Sequence, residues 1–168
     1  MKTNIILLAA VALVGLTCWA SIQTHRLSNE VVIDAPPERV WRVLTDTAAY
    51  PQWNPVIVRL QGDLVLGRSI EFENRSATGR VMVFRPTILK ADAARELRWL
   101  GRLWLPRLFD GEHYFVLTPV GRGQTRLEHG ENFSGALIPF TRNWLRGPVL
   151  DDFARLNMAL KARAEAGS

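Results

Sequence analysis

Near the C-terminus, Leu145, Val149, Phe153, Leu156 and Leu160 recur at steps of three or four residues. That spacing gathers them on one face of a long helix. The stripe follows a series of short segments, from Val56 to about Gly135, in which β-branched and apolar residues alternate with charged ones between turn-like residues. Such alternation is the pattern of half-buried antiparallel strands. A long helix with one greasy face must lay that face on something apolar, and a sheet built from those strands is the available surface. The expected class is therefore α+β, with the helix over one face of a curved sheet. Gly147-Pro148 interrupts the helical pattern and predicts a kink or a restart.

The front of the chain supplies the remaining elements. "SNEVVIDA" reads as a strand and "PPERVWRVLTD" as a helix, with Pro37 in the first turn, where its missing N–H costs nothing, and Glu38 at the positive end of the helix dipole. The helix should end near Thr47. The next run, "DTAAYPQWNP", carries two prolines that disfavour continuing it, so a short helix or turn is expected there. In "GRVMVFRPTILKA" a long strand pattern is broken by Pro86, which predicts a bulge or an edge position.

A chain of 168 residues, 48% apolar and 22% charged, suits one globular domain with a core of its own. The single Cys18 allows no internal disulfide, and no Cys/His spacing suggests zinc. The net charge of +5 comes from 18 arginines and 3 lysines spread singly along the chain. A nucleic-acid reader would gather them on one face, so no nucleic-acid partner is expected. No Gly-rich phosphate loop or Gly-x-Ser-x-Gly turn is present. Residues 1–24 stand apart. Lys2 precedes "IILLAAVALVGL", and the uncharged stretch runs on to Ile22. It fits a secretory signal peptide or, being about 18 residues long, an uncleaved membrane anchor, the alternative being a buried N-terminal helix of the domain. Both of the first two readings place the domain outside the cytoplasm, secreted or periplasmic in one case and tethered to the membrane in the other.

Hairpin arithmetic around Gly121-Arg122-Gly123 gives the sharpest local inference. If Val120 pairs with Gln124, then Pro119 faces Thr125, Leu117 faces Leu127, Phe115 faces His129 and His113 faces Glu131. Because strand side chains alternate, all of these share one face with Phe133, and its apolar members nominate it as the interior. His113, His129 and Glu131 then point into an apolar surface and need partners. Three uses are open: acid/base work by a carboxylate beside imidazole, an internally satisfied hydrogen-bond pair, or part of a metal site, which the ligand count allows but which is not the expectation. A second cluster, "LRWLGRLWLPRLF", places Trp99 on an inward-facing strand and Leu103 to Phe109 in a connecting loop. Its Trp and Arg residues suit either a membrane interface or a cap over the core.

Three stretches together resemble the START-like, or SRPBCC, superfamily that includes polyketide cyclase/dehydrase-like proteins: "IDAPPERVWRVLTDTAAYPQWNP", "LPRLFDGEHYFVLTPVGRGQTRLEHGENFSG" and "FARLNMALKARAE". The resemblance covers Ser28 to about Glu165 and delimits a ligand-binding domain over residues 28–166. It implies a helix-grip fold, a curved seven-stranded antiparallel sheet wrapped around the long C-terminal helix, here preceded by a hydrophobic N-terminal helix. Between sheet and helix it implies an apolar cavity. Trp41, Phe72, Phe84, Trp99, Phe115, Phe133 and Phe153 are expected on its wall, and Tyr50, Trp53 and Trp104 at its entrance. Trp53 is alternatively a plug in the core. His129 and Glu131 are expected to orient a polar end of the guest.

The expected function is noncatalytic binding of a small hydrophobic molecule, such as a lipid, isoprenoid or aromatic compound, without a cofactor. One alternative is a cyclase/dehydratase-type enzyme using His113, His129 or Glu131. Another is a protein-interaction or chaperone-assisting module. Membrane contact would come through the N-terminal segment if it is retained.

Overall fold

The computed structural model describes residues 23–166 continuously, together with Ile5, Ile6, Val11, Ala12, Gly15 and Trp19. The expected signal or anchor at 1–24 lies largely outside the described residues. Among those described, no helix is long and apolar enough to cross a membrane.

Strand β1 (Thr24–Ile33) leads into helix α1 (Pro37–Thr45), a 3-10 turn (Thr47–Ala49) and the single-turn helix α2 (Tyr50–Trp53). Strands β2 (Ile57–Gln61), β3 (Glu71–Arg75), β4 (Val81–Phe84), β5 (Thr87–Asp92), β6 (Glu96–Arg102), β7 (Asp110–Pro119) and β8 (Thr125–Ser134) follow, and helix α3 (Ile138–Glu165) closes the chain. The strands form a five-stranded sheet in the order β1-β8-β7-β6-β5 and a three-stranded sheet in the order β2-β3-β4. All pairings are antiparallel.

The architecture is the expected curved antiparallel sheet gripping a long helix. The strand count differs by one because Pro86, which has no N–H to donate, splits a single long strand into β4 and β5. The chain bends there but stays tied to the residue just before β3, since Ile70 N–H donates to the Pro86 carbonyl at 3.0 Å. Pro37 occupies the first turn of α1, as its geometry favours. "YPQW" forms a helical turn even though it cannot extend α1.

Helix α3 runs unbroken through Pro148. Gly147 and Pro148 are both exposed, so the carbonyl that loses its partner to proline lies at an exposed residue, Trp144. The helix therefore neither ends nor restarts at that point. Its buried face carries Ile138, Phe153, Leu156, Asn157, Leu160 and Ala164. Two side-chain contacts fasten the C-terminal end to β1 and the residue after it: Lys161 Nζ donates to the Val32 carbonyl at 2.7 Å, and Glu165 accepts from Asp34 N–H at 2.7 Å.

The main core joins Ile33, Val40, Leu44, Ile57, Ile70, Ile88, Leu97, Trp99, Phe115 and Leu127 to the end of α3, with Trp41 and Val43 packed at its edge from α1. A second cluster, Leu27, Phe133, Ile138 and Phe153, seals the helix's N-terminal half with Phe109 and Leu145. On the opposite face of the sheet, Tyr114 lies over Gly130, where a Cβ would strike both the phenol and the backbone of Leu27. The Tyr114 hydroxyl donates to Glu128 at 2.9 Å and accepts from Arg26 Nε at 2.9 Å.

Candidate functional site

The β7–β8 hairpin adopts the register inferred from its turn. Val120 N–H donates to the Gln124 carbonyl at 3.0 Å, and Leu117 faces Leu127, Phe115 faces His129 and His113 faces Glu131. His113, His129 and Glu131 therefore do face the helix.

They meet as links in one polar chain. His129 Nε2 lies 2.8 Å from His113 Nε2, and His129 Nδ1 lies 2.8 Å from Asn157 Oδ1 on α3. The Asn157 amide nitrogen in turn donates to Asn29 Oδ1 on β1 at 3.0 Å. This last bond turns the Asn157 carbonyl toward His129, so His129 Nδ1 must carry the proton and its Nε2 must accept. His113 Nε2 is then the donor between the rings. Its other nitrogen, Nδ1, keeps a free lone pair facing Glu131 Oε2 at 3.6 Å.

Burial keeps the whole set neutral at ordinary pH. Desolvation pulls His113 down to about 3 and holds His129 well below 6.5, the latter also disfavoured by the neighbouring His113. The same desolvation pushes the Glu131 carboxyl up to about 8, so it keeps its proton at neutral pH.

The deep half of the concave face is filled with rings. Phe115 stacks on His129 with centroids 4.2 Å apart, Phe153 contacts His129 at 4.1 Å, and Leu156 and Leu160 are buried in the same core cluster as Phe115. Phe115, Phe133 and Phe153, expected to line a hollow, are core packing with 1–4% exposure. His129 is fully buried, so it holds His113 rather than meeting a guest itself.

The shallow half is different. Side chains of His113 and Glu131 keep 13% and 21% of their surface open. Beside them on the same face lie Gly101 and Gly111, paired across β6 and β7. A Cβ at Gly111 would collide with the Glu131 carboxyl, whereas one at Gly101 would meet nothing nearer than a carbonyl oxygen at 3.8 Å. The Glu131 carboxyl therefore lies against bare backbone at Gly111, and the neighbouring Gly101 leaves room for a methyl. On the other side a row of rings continues outward. Trp99 stacks flat on His113 (4.8 Å, 4°), Phe72 leans on Trp99 (5.8 Å), and Phe84 stacks on Phe72 (5.3 Å). Phe84 is 40% exposed. The result is an apolar row, the shelf, that is open to water at Phe84, is buried at Phe72 and Trp99, and ends at a neutral His–Glu couple.

The other expected residues fall elsewhere. Tyr50 is not at an entrance: it is 1% exposed, and its hydroxyl donates to the Leu44 carbonyl at 2.6 Å, which fixes it as a core anchor for the α1–α2 corner. Trp53 packs edge-on against Tyr50 at 5.2 Å and separates two surface grooves. One, of about 350 Å³, is bordered by Arg39, Arg42 and Arg163, and the other, of about 460 Å³, by Gln52, Asn54 and Arg59. Neither reaches the shelf. Trp41 packs at the edge of the main core, and Trp104 stands 80% exposed on the β6–β7 loop. Among the described residues no group of three or more His, Cys, Asp or Glu is arranged to hold a metal ion. Asn29, Asn157 and the two glycines were not picked out from the sequence. The signal was present for Asn157, which interrupts the apolar face between Phe153 and Leu160.

Fold and face together define a helix-grip protein of the START-like class. The family model for polyketide cyclase / dehydrase and lipid transport matches residues 24–165, and the chain belongs to that family. No curated protein matches it in sequence. Among solved structures it is similar to the ZhuI aromatase/cyclase from Streptomyces sp. R1128, with a TM-score of 0.70 at 17% identity over 85% of this chain and 94% of that one. A START superfamily protein from Mycobacterium smegmatis aligns with a TM-score of 0.63 at 21% identity, covering 86% and 99%. Norcoclaurine synthase from Thalictrum flavum aligns at 0.66 and 13%, covering 87% and 98%. At these identities the likeness is one of fold.

Proposed function

We propose that this protein binds a small hydrophobic molecule carrying one polar group, its apolar part against the exposed Phe84 end of the shelf and its polar end at His113 and Glu131. The observation that carries this reading is a neutral His–Glu couple, its side chains still 13% and 21% exposed, at the end of an apolar row. A protonated Glu131 offers a hydrogen-bond donor at neutral pH, and the couple brings no net charge to repel a greasy guest. Removing about 150 Å² of apolar ligand surface from water contributes on the order of 4 kcal/mol before ordering costs. Membership in a family described by both cyclase/dehydrase and lipid transport agrees with such a guest. Titration of labelled protein with fatty acids, isoprenols and aromatic phenols, followed by amide resonance shifts, tests the reading. Binding ligands should move Gly101 and Gly111 and leave Gly79 still. Shifts confined to the Trp53 grooves, or none with any class, would remove it.

A second reading is favoured by one observation, the carboxyl raised to about 8 beside an unprotonated imidazole. Such a group is an acid poised near neutral pH, suited to protonating or dehydrating a bound polyketide-like compound. Glu131→Gln separates the two readings. Retained ligand affinity with lost turnover identifies acid catalysis. Lost affinity, with no turnover in the wild type, leaves binding alone.

A further inference from the structure

We propose that the end of the domain formed by the β6–β7 loop and the first turns of α3 docks on a phospholipid surface containing anionic lipid. Three features of independent origin meet at that end.

The first is exposed apolar surface. Trp104 and Leu105 on the loop are 80% and 67% exposed, and Phe140 and Trp144, one helical turn apart on α3, are 78% and 73% exposed. Their presentation is built in. Trp104 and Arg107 hold positive φ values of 62° and 64°, a region that side chains rarely adopt. Leu103 N–H donates to the Phe109 carbonyl at 3.0 Å, which pins the base of the loop. The loop is fastened to the helix as well: Ala136 and Leu137 N–H groups donate to the Arg107 and Leu108 carbonyls, both at 3.0 Å. Loop and helix start are therefore joined directly through their backbones.

The second feature is charge. Arg107, Arg142 and Arg146 are exposed along these two stretches, Arg102 at the base of the loop is exposed beside Asp110 at 3.7 Å, and no Asp or Glu occurs from Leu103 to Phe109 or from Gly135 to Leu150. Tryptophan with arginine is the composition of a membrane interface, where rings sit at headgroup depth and guanidinium groups reach phosphate. A cationic rim selects an anionic leaflet over a neutral one.

The third is chain connection. Gly135 N–H donates to the Gln23 carbonyl at 3.1 Å, so the apolar run Ile5 to Ile22 joins the domain at the loop–helix junction itself. Its described members Ile5, Ile6 and Val11 are themselves 61%, 69% and 63% exposed. A bilayer satisfies the segment and the rings together. This inference does not depend on the ligand reading, although docking there would set the open shelf, two residues from the loop at Gly101, beside the lipid.

Hydrogen exchange of the full chain bound to vesicles tests it, using phosphatidylcholine vesicles with and without phosphatidylglycerol and a detergent-solubilised control. On anionic vesicles, amides of 103–109 and 138–146 should exchange several-fold more slowly than in detergent, with less protection on neutral vesicles. The double substitution Trp104→Ser with Trp144→Ser should abolish that protection while the chain stays vesicle-bound through its N-terminal segment. Both side chains are exposed, and an unchanged melting temperature would confirm an intact fold. Equal exchange on vesicles and in detergent would overturn the proposal. So would protection without lipid, which would mean that the N-terminal segment covers the face, or protection that grows with protein concentration, which would mean that a second copy does.

Discussion

The Nε2 atoms of His113 and His129 lie 2.8 Å apart, nitrogen to nitrogen, so one imidazole must donate and the other accept. Asn157 decides which, because its carbonyl claims the proton on His129 Nδ1. A helix residue thereby sets the tautomer of a strand residue that it does not touch, and leaves the His113 lone pair aimed at Glu131.

Removing Asn157 should therefore cost more than one ordinary hydrogen bond. Asn157→Ala strands a buried imidazole N–H and the Asn29 amide oxygen, with an expected loss of about 1–3 kcal/mol. Urea denaturation should show a lower midpoint with an unchanged slope, as for a stability change within a two-state fold.

The titrating groups pull in opposite directions with pH. Folded His113 takes a proton only near 3, and unfolded near 6.5, so between those values the unfolded chain holds more protons. The His113 contribution is complete above about 6.5 and falls as pH is lowered, and His129 has the same sign. Glu131 has the reverse sign. Its folded value of about 8 exceeds the ordinary 4.5, so its contribution is complete below 4.5 and is lost as pH rises through 8. Stability measured on both sides of that window should decline toward alkaline pH in the wild type, and the decline should shrink in Glu131→Gln.

Two glycines separate space from function. Gly130→Ala drives a methyl into the Tyr114 ring and the Leu27 carbonyl, neither of which has room to move, and should cost about 1–3 kcal/mol. Gly111→Ala meets only the flexible end of Glu131. Its cost in melting temperature should be smaller, while it displaces the carboxyl and weakens ligand binding.

The ring row divides into core and shelf. Trp99→Ala empties a site 2% exposed and should destabilise by about 3–5 kcal/mol. Phe84→Ala, at a position 40% exposed, should change stability by about 1 kcal/mol or less while reducing affinity for the apolar guest. Calorimetry paired with ligand titration checks both.

What the sequence disclosed follows from how far each constraint reaches along the chain. The inward aim of His113, His129 and Glu131 was legible because a tight turn sets the register of everything after it, and side chains alternate strictly. Asn29 and Asn157 were not legible as partners. Their meeting depends on how α3 is seated on β1, a relationship 128 residues long in sequence. Tyr50 was misplaced at an opening because an aromatic beside proline reads alike on a rim and in a corner; the Leu44 carbonyl, supplied by the preceding helix, decides it. The filled deep half had the same origin. Phe115, His129 and Phe153 each read as wall residues, and only the packed structure shows that their rings touch.

Native mass spectrometry of the purified chain tests the central claim most directly. The wild type should carry a small-molecule mass, or retain one after incubation with apolar phenols or fatty acids, and Glu131→Gln and Phe84→Ala should each lose most of it. An unloaded wild type under all of these conditions, or variants that hold the guest as firmly as the wild type, would contradict the assignment of the shelf as the binding site.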